Sequence, residues 1–205
     1  SLLPNYRGAA PINWAIINGE TKTGVTTFFI DDKIDTGAMI LNSEIAIEPE
    51  ENAGQLHDRL MNLGSGTVID TLKIIENGNV TTTIQEDSAD IKTAYKLNKE
   101  NCKIDWTKSG DEINNLIRGL SPYPAAWCFL KDKDEELSIK IYEAKLVPEA
   151  HSYELGKLIS SKKEIKIAVQ DGFIELLSLQ LPGKKRMKVA ELLNGITFQE
   201  TAKVY

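Results

Sequence analysis

Apolar residues recur at helical spacing through Leu56, Leu60, Leu63 and Thr67, and Ile69, Leu72 and Ile75 widen the stripe. That period predicts an amphipathic helix ending at Glu-Asn-Gly-Asn, residues 76–79, where helix-stopping residues collect. Gly64 and Gly66 lie inside it, and glycine weakens a helix interior, so both are expected to permit close packing on a sheet. Upstream, GVTTFFID (24–31) is apolar on both faces and rich in β-branched and aromatic residues, the pattern of a buried central strand. AMILNSEIAI (38–47) predicts a second strand, with DDKIDTG as a hairpin-like connector. APINWAIING (10–19) reads as a short helix with Pro11 in its first turn and Gly19 at its end.

From 79 to 94 the chain is polar, small and without period, which predicts a linker with at most one short strand. SGDEINNLIRGL (109–120) predicts a second amphipathic helix, with Ser109 as N-cap, Asp111 and Glu112 in the first turn, and Ile113, Leu116, Ile117 and Leu120 buried. Short strands follow at 125–130, 137–144, 164–170 and 172–180, the last two joined by a tight Gln-Asp-Gly turn. Short strands with turns and one helix suggest a small closed β-barrel of the oligonucleotide/oligosaccharide-binding (OB) type. The predicted organisation is an α/β portion over 1–78, a linker over 79–94 and the barrel over 95–205.

Composition changes this picture little. With 41% hydrophobic and 26% charged residues, the 205-residue chain is of ordinary globular type. No apolar run suits a bilayer, and no secretory pattern opens the chain. Cys102 and Cys128 stand apart without metal-ligand spacing and read as buried reduced thiols, which suits the cytoplasm. The net charge of −6 is uneven: residues 1–86 hold 5 basic and 12 acidic residues, and 87–205 hold 19 and 18. Basic residues cluster in GKKRMK (183–188) and at Lys92, Lys96, Lys99 and Lys103. Such patches attract polyanions, although a solvated surface has the same signature.

Two loops carry more chemistry than connection requires. LPNYRG sets Pro4 and Gly8 around an arginine before a helix start, where backbone N–H groups can meet a ligand. DDKIDTG packs Asp31, Asp32 and Asp35 between two strands. Repelling carboxylates at a sheet end suit proton transfer or the orientation of a histidine; a hairpin tip of acidic turn formers is the alternative. His57 and His151 read as surface or cap residues. The sequence has no Cys/His cluster, glycine-rich phosphate loop or Ser-His-Asp order, and no metal site is expected.

The stretch SLLPNYRGAAPINWAIINGETKTGVTTFFIDDKIDTGAMIL closely resembles the formyltransferase family that uses 10-formyltetrahydrofolate. YKLNKENCKIDWTKSGDEINNLIRGLSPYPAAW and LQLPGKKRMKVAELLNG resemble the carboxy-terminal part of its methionyl-tRNA branch. The resemblance runs from Ser1 to about Phe198. It implies the second half of a Rossmann-like catalytic domain followed by a barrel that helps hold RNA. In the family an Asn-x-His-x motif stands directly before Ser-Leu-Leu-Pro, so the chain is expected to be a fragment starting inside that motif and inactive alone. Asp35, in Asp-Thr-Gly, matches the family's catalytic Asp. Ser1, Leu2, Leu3 and Pro4 match its folate-contacting stretch. Lys96, Arg118, Lys184, Lys185 and Arg186 are the positions expected to meet tRNA phosphates. Implied partners are the formyl donor 10-formyltetrahydrofolate and initiator methionyl-tRNA, with the protein monomeric, cytoplasmic and away from membranes. Sugar-nucleotide N-formyl transfer shares the first motif, and an RNA-binding module without activity is the other reading.

Overall fold

Two residues of extended backbone, β1 (Arg7–Gly8), lead into α1 (Pro11–Ile17), where Pro11 occupies a first-turn position that needs no N–H partner. The computed structural model describes residues 1–78 and 80–205; Asn79, which closes the expected helix stop and opens the expected linker, lies outside the described residues. After α1 come β2 (Lys22–Phe28), β3 (Met39–Ala46), α2 (Ala53–Glu76) and β4 (Thr93–Ala94). Asn52 and Gln55 close a capping box at the start of α2. Tyr6, Ala15, Ile16, Ile47, Leu56, Leu60 and Ala94 form the core of this unit, Ser1–Leu97.

Two expectations fail here. GVTTFFID is not a buried central strand: β2 ends at Phe28 and, among the described residues, pairs only with β3, antiparallel, in a two-stranded sheet. Ile30, beyond the strand, is 92% exposed. Packed against β2, β3 and α1, helix α2 buries Leu56 and Leu60 but leaves Ile69, Leu72 and Ile75 exposed. The glycines of α2 do not serve close packing either. A Cβ on Gly64 would meet only Val25 Cγ1 at 3.7 Å, and one on Gly66 would meet nothing within 4 Å.

The stretch expected as a linker makes its first ladder contact with the first unit at Thr83. Thr83 and Met39 exchange backbone hydrogen bonds of 2.8 and 2.9 Å. Beyond them β4 lies parallel to β1 and buries Ala94. Polar residues without period thus satisfy their backbone groups on protein rather than water. The compact units divide between Leu97 and Asn98.

The second unit holds α3 (Gly110–Leu120), β5 (Ala126–Asp132), β6 (Glu135–Pro148), β7 (Leu158–Ser160), β8 (Ile165–Val169), β9 (Gly172–Gln180), β10 (Met187–Lys188), α4 (Val189–Leu192) and β11 (Lys203–Val204). Antiparallel pairing runs β11-β5-β6-β9-β8-β7, with β10 on β9. Val204 N donates to Gly156 O at 2.8 Å and Leu158 N to Ala202 O at 3.0 Å, so β11 also meets the β7 end. The sheet curls into a nearly closed antiparallel barrel, close to the expected one. Closure requires a glycine at 156, where φ is +80° and a Cβ would lie 2.4 Å from Val204 O. Ile139, Ile141, Ile165, Ile167 and Ile174 fill the interior. β7, β10, β11 and α4 escape sequence reading because none has more than four residues.

Ser109 and Glu112 close a capping box on α3 as expected, and Ile113, Ile117 and Leu120 are buried. Asp171, in the Gln-Asp-Gly turn, accepts from Gly110 N at 2.8 Å and so ties turn to helix start. Ser109→Ala removes the hydroxyl that accepts from Glu112 N, so denaturant unfolding is expected to report a loss of about 1 kcal/mol. Cys102 and Cys128 are free and buried, and burial pushes the Cys128 thiol up to about 12. Among the described residues no helix is long and apolar enough to cross a membrane, and no group of His, Cys, Asp and Glu is placed to hold a metal.

Candidate active site and basic surfaces

Thr26 of β2 holds the first residues of the chain. Its hydroxyl donates to Ser1 O at 2.8 Å and accepts from Leu3 N at 3.2 Å. Leu2 occupies the space left by Gly24, whose Cβ would lie 2.6 Å from Leu2 Cδ2. Of the four residues matched to folate contact, Ser1, Leu2 and Pro4 are half-buried and Leu3 is buried. The Leu3 side chain therefore packs inward, with its backbone N–H already held by Thr26. Tyr6 OH donates to Glu20 at 2.5 Å, and Lys92 Nζ meets the same carboxylate oxygen at 2.5 Å. Burial, reinforced by that bond, pushes the Tyr6 phenol well above its ordinary range.

The three aspartates of the second loop separate by geometry. Asp31 accepts from Lys33 N at 3.1 Å and from the Thr36 hydroxyl at 2.9 Å, a local tie within the loop. Asp32 is exposed. Asp35 alone reaches the first loop: its carboxylate accepts from Gly8 N at 3.3 Å. Its backbone is left-handed, with φ +55°, which points it away from the hairpin's regular course.

Gln85, from the segment read as a linker, joins the two loops. Its amide NH2 donates to Asp35 O at 3.0 Å and Gly37 O at 2.8 Å. Its Oε1 accepts from Arg7 Nε at 3.1 Å and Nη2 at 2.9 Å, while Arg7 Nη1 pairs with Asp87 at 2.8 Å. Neither residue was among the sequence candidates. A single Gln in a polar stretch carries no periodic signal, and Arg7 was visible only as the arginine within LPNYRG.

The histidines lie elsewhere, as their sequence contexts suggested. His57 is exposed beside Asp58, and His151 Nε2 lies 2.8 Å from both Val169 O and Gly172 O, across the turn between β8 and β9.

The residues expected to meet tRNA divide into two kinds. Lys184 and Lys185 are exposed in the turn after Pro182-Gly183, which Lys184 N closes onto Leu181 O at 3.1 Å. Arg186 departs from the expectation of a charge free in solvent. It pairs with Glu143, donates to Ser178 Oγ at 2.9 Å and lies 4.7 Å from the Tyr142 ring centre. A guanidinium already matched by carboxylate and ring has less to offer a phosphate. Arg118 is half-buried on α3, where its Nε donates to Asn115 at 2.9 Å. Lys96, in the first unit, is exposed. In the second unit Lys99 and Lys103 lie 5.1 and 5.7 Å from the Trp127 ring centre, and Lys103 lies 5.2 Å from that of Phe129.

An α/β unit, with an Asp turned onto a Pro- and Gly-bounded loop, precedes a nearly closed antiparallel β-barrel. The chain belongs to the formyl transferase family: residues 1–72 match the formyl transferase model and 96–197 the formyl transferase C-terminal domain. Over all 205 residues it is 91% identical to the methionyl-tRNA formyltransferase of Flavobacterium johnsoniae and 67% identical to that of Flavobacterium psychrophilum. It spans 65% of the length of each of these relatives. Among solved structures, the N-formyltransferase of Helicobacter canadensis, in complex with folinic acid and dTDP-3-aminofucose, covers 90% of the chain at 24% identity and TM-score 0.67. The match takes in 63% of that protein. HypX of Aquifex aeolicus in complex with tetrahydrofolic acid covers 96% of the chain, and 35% of its own length, at 17% identity and TM-score 0.69. At these identities the two structures establish the shared fold.

Proposed function

We propose that the full-length protein transfers a formyl group to the α-amino group of methionine on initiator tRNA, in the cytoplasm and as a monomer. The observation that carries this reading is Asp35, held in a left-handed turn with its carboxylate on the Gly8 amide, beside the Ser-Leu-Leu-Pro stretch. Whole-length identity to methionyl-tRNA formyltransferases supports the acceptor. The donor, 10-formyltetrahydrofolate, supplies the formyl carbon when bound. Its contact stretch is Ser1–Pro4, where the half-buried residues flank an inward-packed Leu3. By the family resemblance an Asn and a His of the full-length protein stabilise the oxyanion. Asp35 orients that His and helps carry the proton lost by the amine. Turnover of an amino-sugar nucleotide in place of methionyl-tRNA by the full-length protein would overturn the acceptor assignment.

On this reading the barrel holds the RNA through Lys184, Lys185, Lys99 and Lys103, none of which closes a salt bridge of 4 Å or less among the described residues. Arg118, and Lys96 of the first unit, add phosphate contacts. Phosphate contact releases counterions, so its loss is salt-dependent. Replacing Lys184 and Lys185 together by Ala is expected to raise KM for methionyl-tRNA and flatten its dependence on salt. KM for the folate donor stays unchanged. Arg186→Ala, which breaks the Glu143 and Tyr142 contacts, is expected to lower the melting temperature and leave the salt slope intact. An unaltered salt slope in the double-lysine variant would make this turn an ordinary solvated surface.

A further inference from the structure

We propose that Gln85 is a positioning residue for formyl transfer: its side-chain amide clamps the Asp35–Gly37 turn to Arg7 and thereby aims the Asp35 carboxylate. The proposal rests on the assignment of Asp35 given above. Gln85 is only 8% exposed, and its amide uses both N–H donors and accepts twice at its oxygen. A buried amide is costly unless matched in this way. All four bonds go to the two loops that carry the site, and none goes to the segment that bears Gln85.

The contacts close a ring. Gln85 grips the carbonyls of Asp35 and Gly37, and these fix the peptide planes on either side of the turn. The Asp35 carboxylate then reaches Gly8 N at 3.3 Å. Gly8 follows Arg7 in β1, and the Arg7 guanidinium returns to Gln85 Oε1. One side chain thus sets both ends of the Asp35–Gly8 contact. Only a primary amide can donate to two carbonyls while accepting from a guanidinium. The 80–94 segment pairs with Met39 and β1 on either side of Gln85, which holds it in place to do so.

Gln85→Glu in the full-length protein is the discriminating change. A carboxylate keeps the size and the Arg7 partner but loses both donors to the turn. We expect kcat to fall about 10- to 100-fold, the scale of a misplacement near 1 Å, with KM for both substrates within about twofold. In an Asp35→Asn background the same substitution costs less than about threefold, because the two act through one group. Arg7→Lys, which removes the guanidinium fork but keeps the charge beside Asp87, is a second probe and is expected to lower kcat in the same non-additive way. Wild-type kcat in both variants, or losses that multiply with Asp35→Asn, would overturn the positioning role. Wild-type kcat in Asp35→Asn alone would instead overturn the assignment of Asp35.

Discussion

Asp35→Asn in the full-length protein is expected to lower kcat by about 10²–10⁴-fold, the range seen when the carboxylate behind a catalytic histidine is neutralised. KM for methionyl-tRNA stays within about twofold, because the substitution removes an interaction made in the transition state. The change tests chemistry rather than fold. Asp35 adopts φ +55°, and asparagine is among the few residues that accept the left-handed region readily. The amide oxygen can still accept from Gly8 N, so the turn survives while the negative charge is lost. Asp31 and Asp32 provide the comparison. Asn at 31 still accepts from Lys33 N and Thr36, and Asp32 is exposed, so each is expected to cost less than about threefold. Equal losses at all three positions would mean that the loop's summed charge matters and no single carboxylate is special.

Where a residue's role follows from periodic pattern, the chain announces it. The stripe of α3, its Ser109 cap and the Gln-Asp-Gly turn are legible because each is a local rule of spacing or backbone preference. Reading fails where a pattern depends on what lies across from it. Ile69, Leu72 and Ile75 widen the α2 stripe in sequence but meet no cover within the first unit, and β2 finds one neighbouring strand where its composition suggests two. The segment 80–94 shows the opposite failure. Its polar residues look solvated, yet Gln85 is buried because its partners are backbone carbonyls and a guanidinium brought from about fifty and eighty positions away. Hydropathy does not register such a match. By residue pattern Asp35 is one of three aspartates, singled out in the sequence only by the family resemblance, because Gly8 N, which distinguishes it, lies 27 positions away.

Gly37→Ala is expected to disable both the loop and the chemistry. A Cβ on Gly37 would lie 1.6 Å from Phe29 O and 2.8 Å from Phe29 C. Both are backbone atoms, so no side chain can swing away to make room. The obstacle is space, since Gly37 is not among the residues with positive φ. Relief requires parting Phe29 from the 37–38 segment, which breaks the 3.0 Å bond from Phe29 N to Ala38 O. The same movement drags Gly37 O from Gln85 and turns Asp35 off Gly8. Urea unfolding of the full-length protein should show a loss of roughly 3 kcal/mol or more, the scale of forced backbone strain and broken buried hydrogen bonds. Turnover should fall at least as far as in Asp35→Asn. Gly195→Ala serves as the reference substitution, because a Cβ there meets nothing within 4 Å, and it should shift stability by no more than about 0.5 kcal/mol. If Gly37→Ala unfolded at the wild-type midpoint and turned over at the wild-type rate, the Asp-Thr-Gly turn would have room to move. The fixed placement of Asp35 would then fail with it.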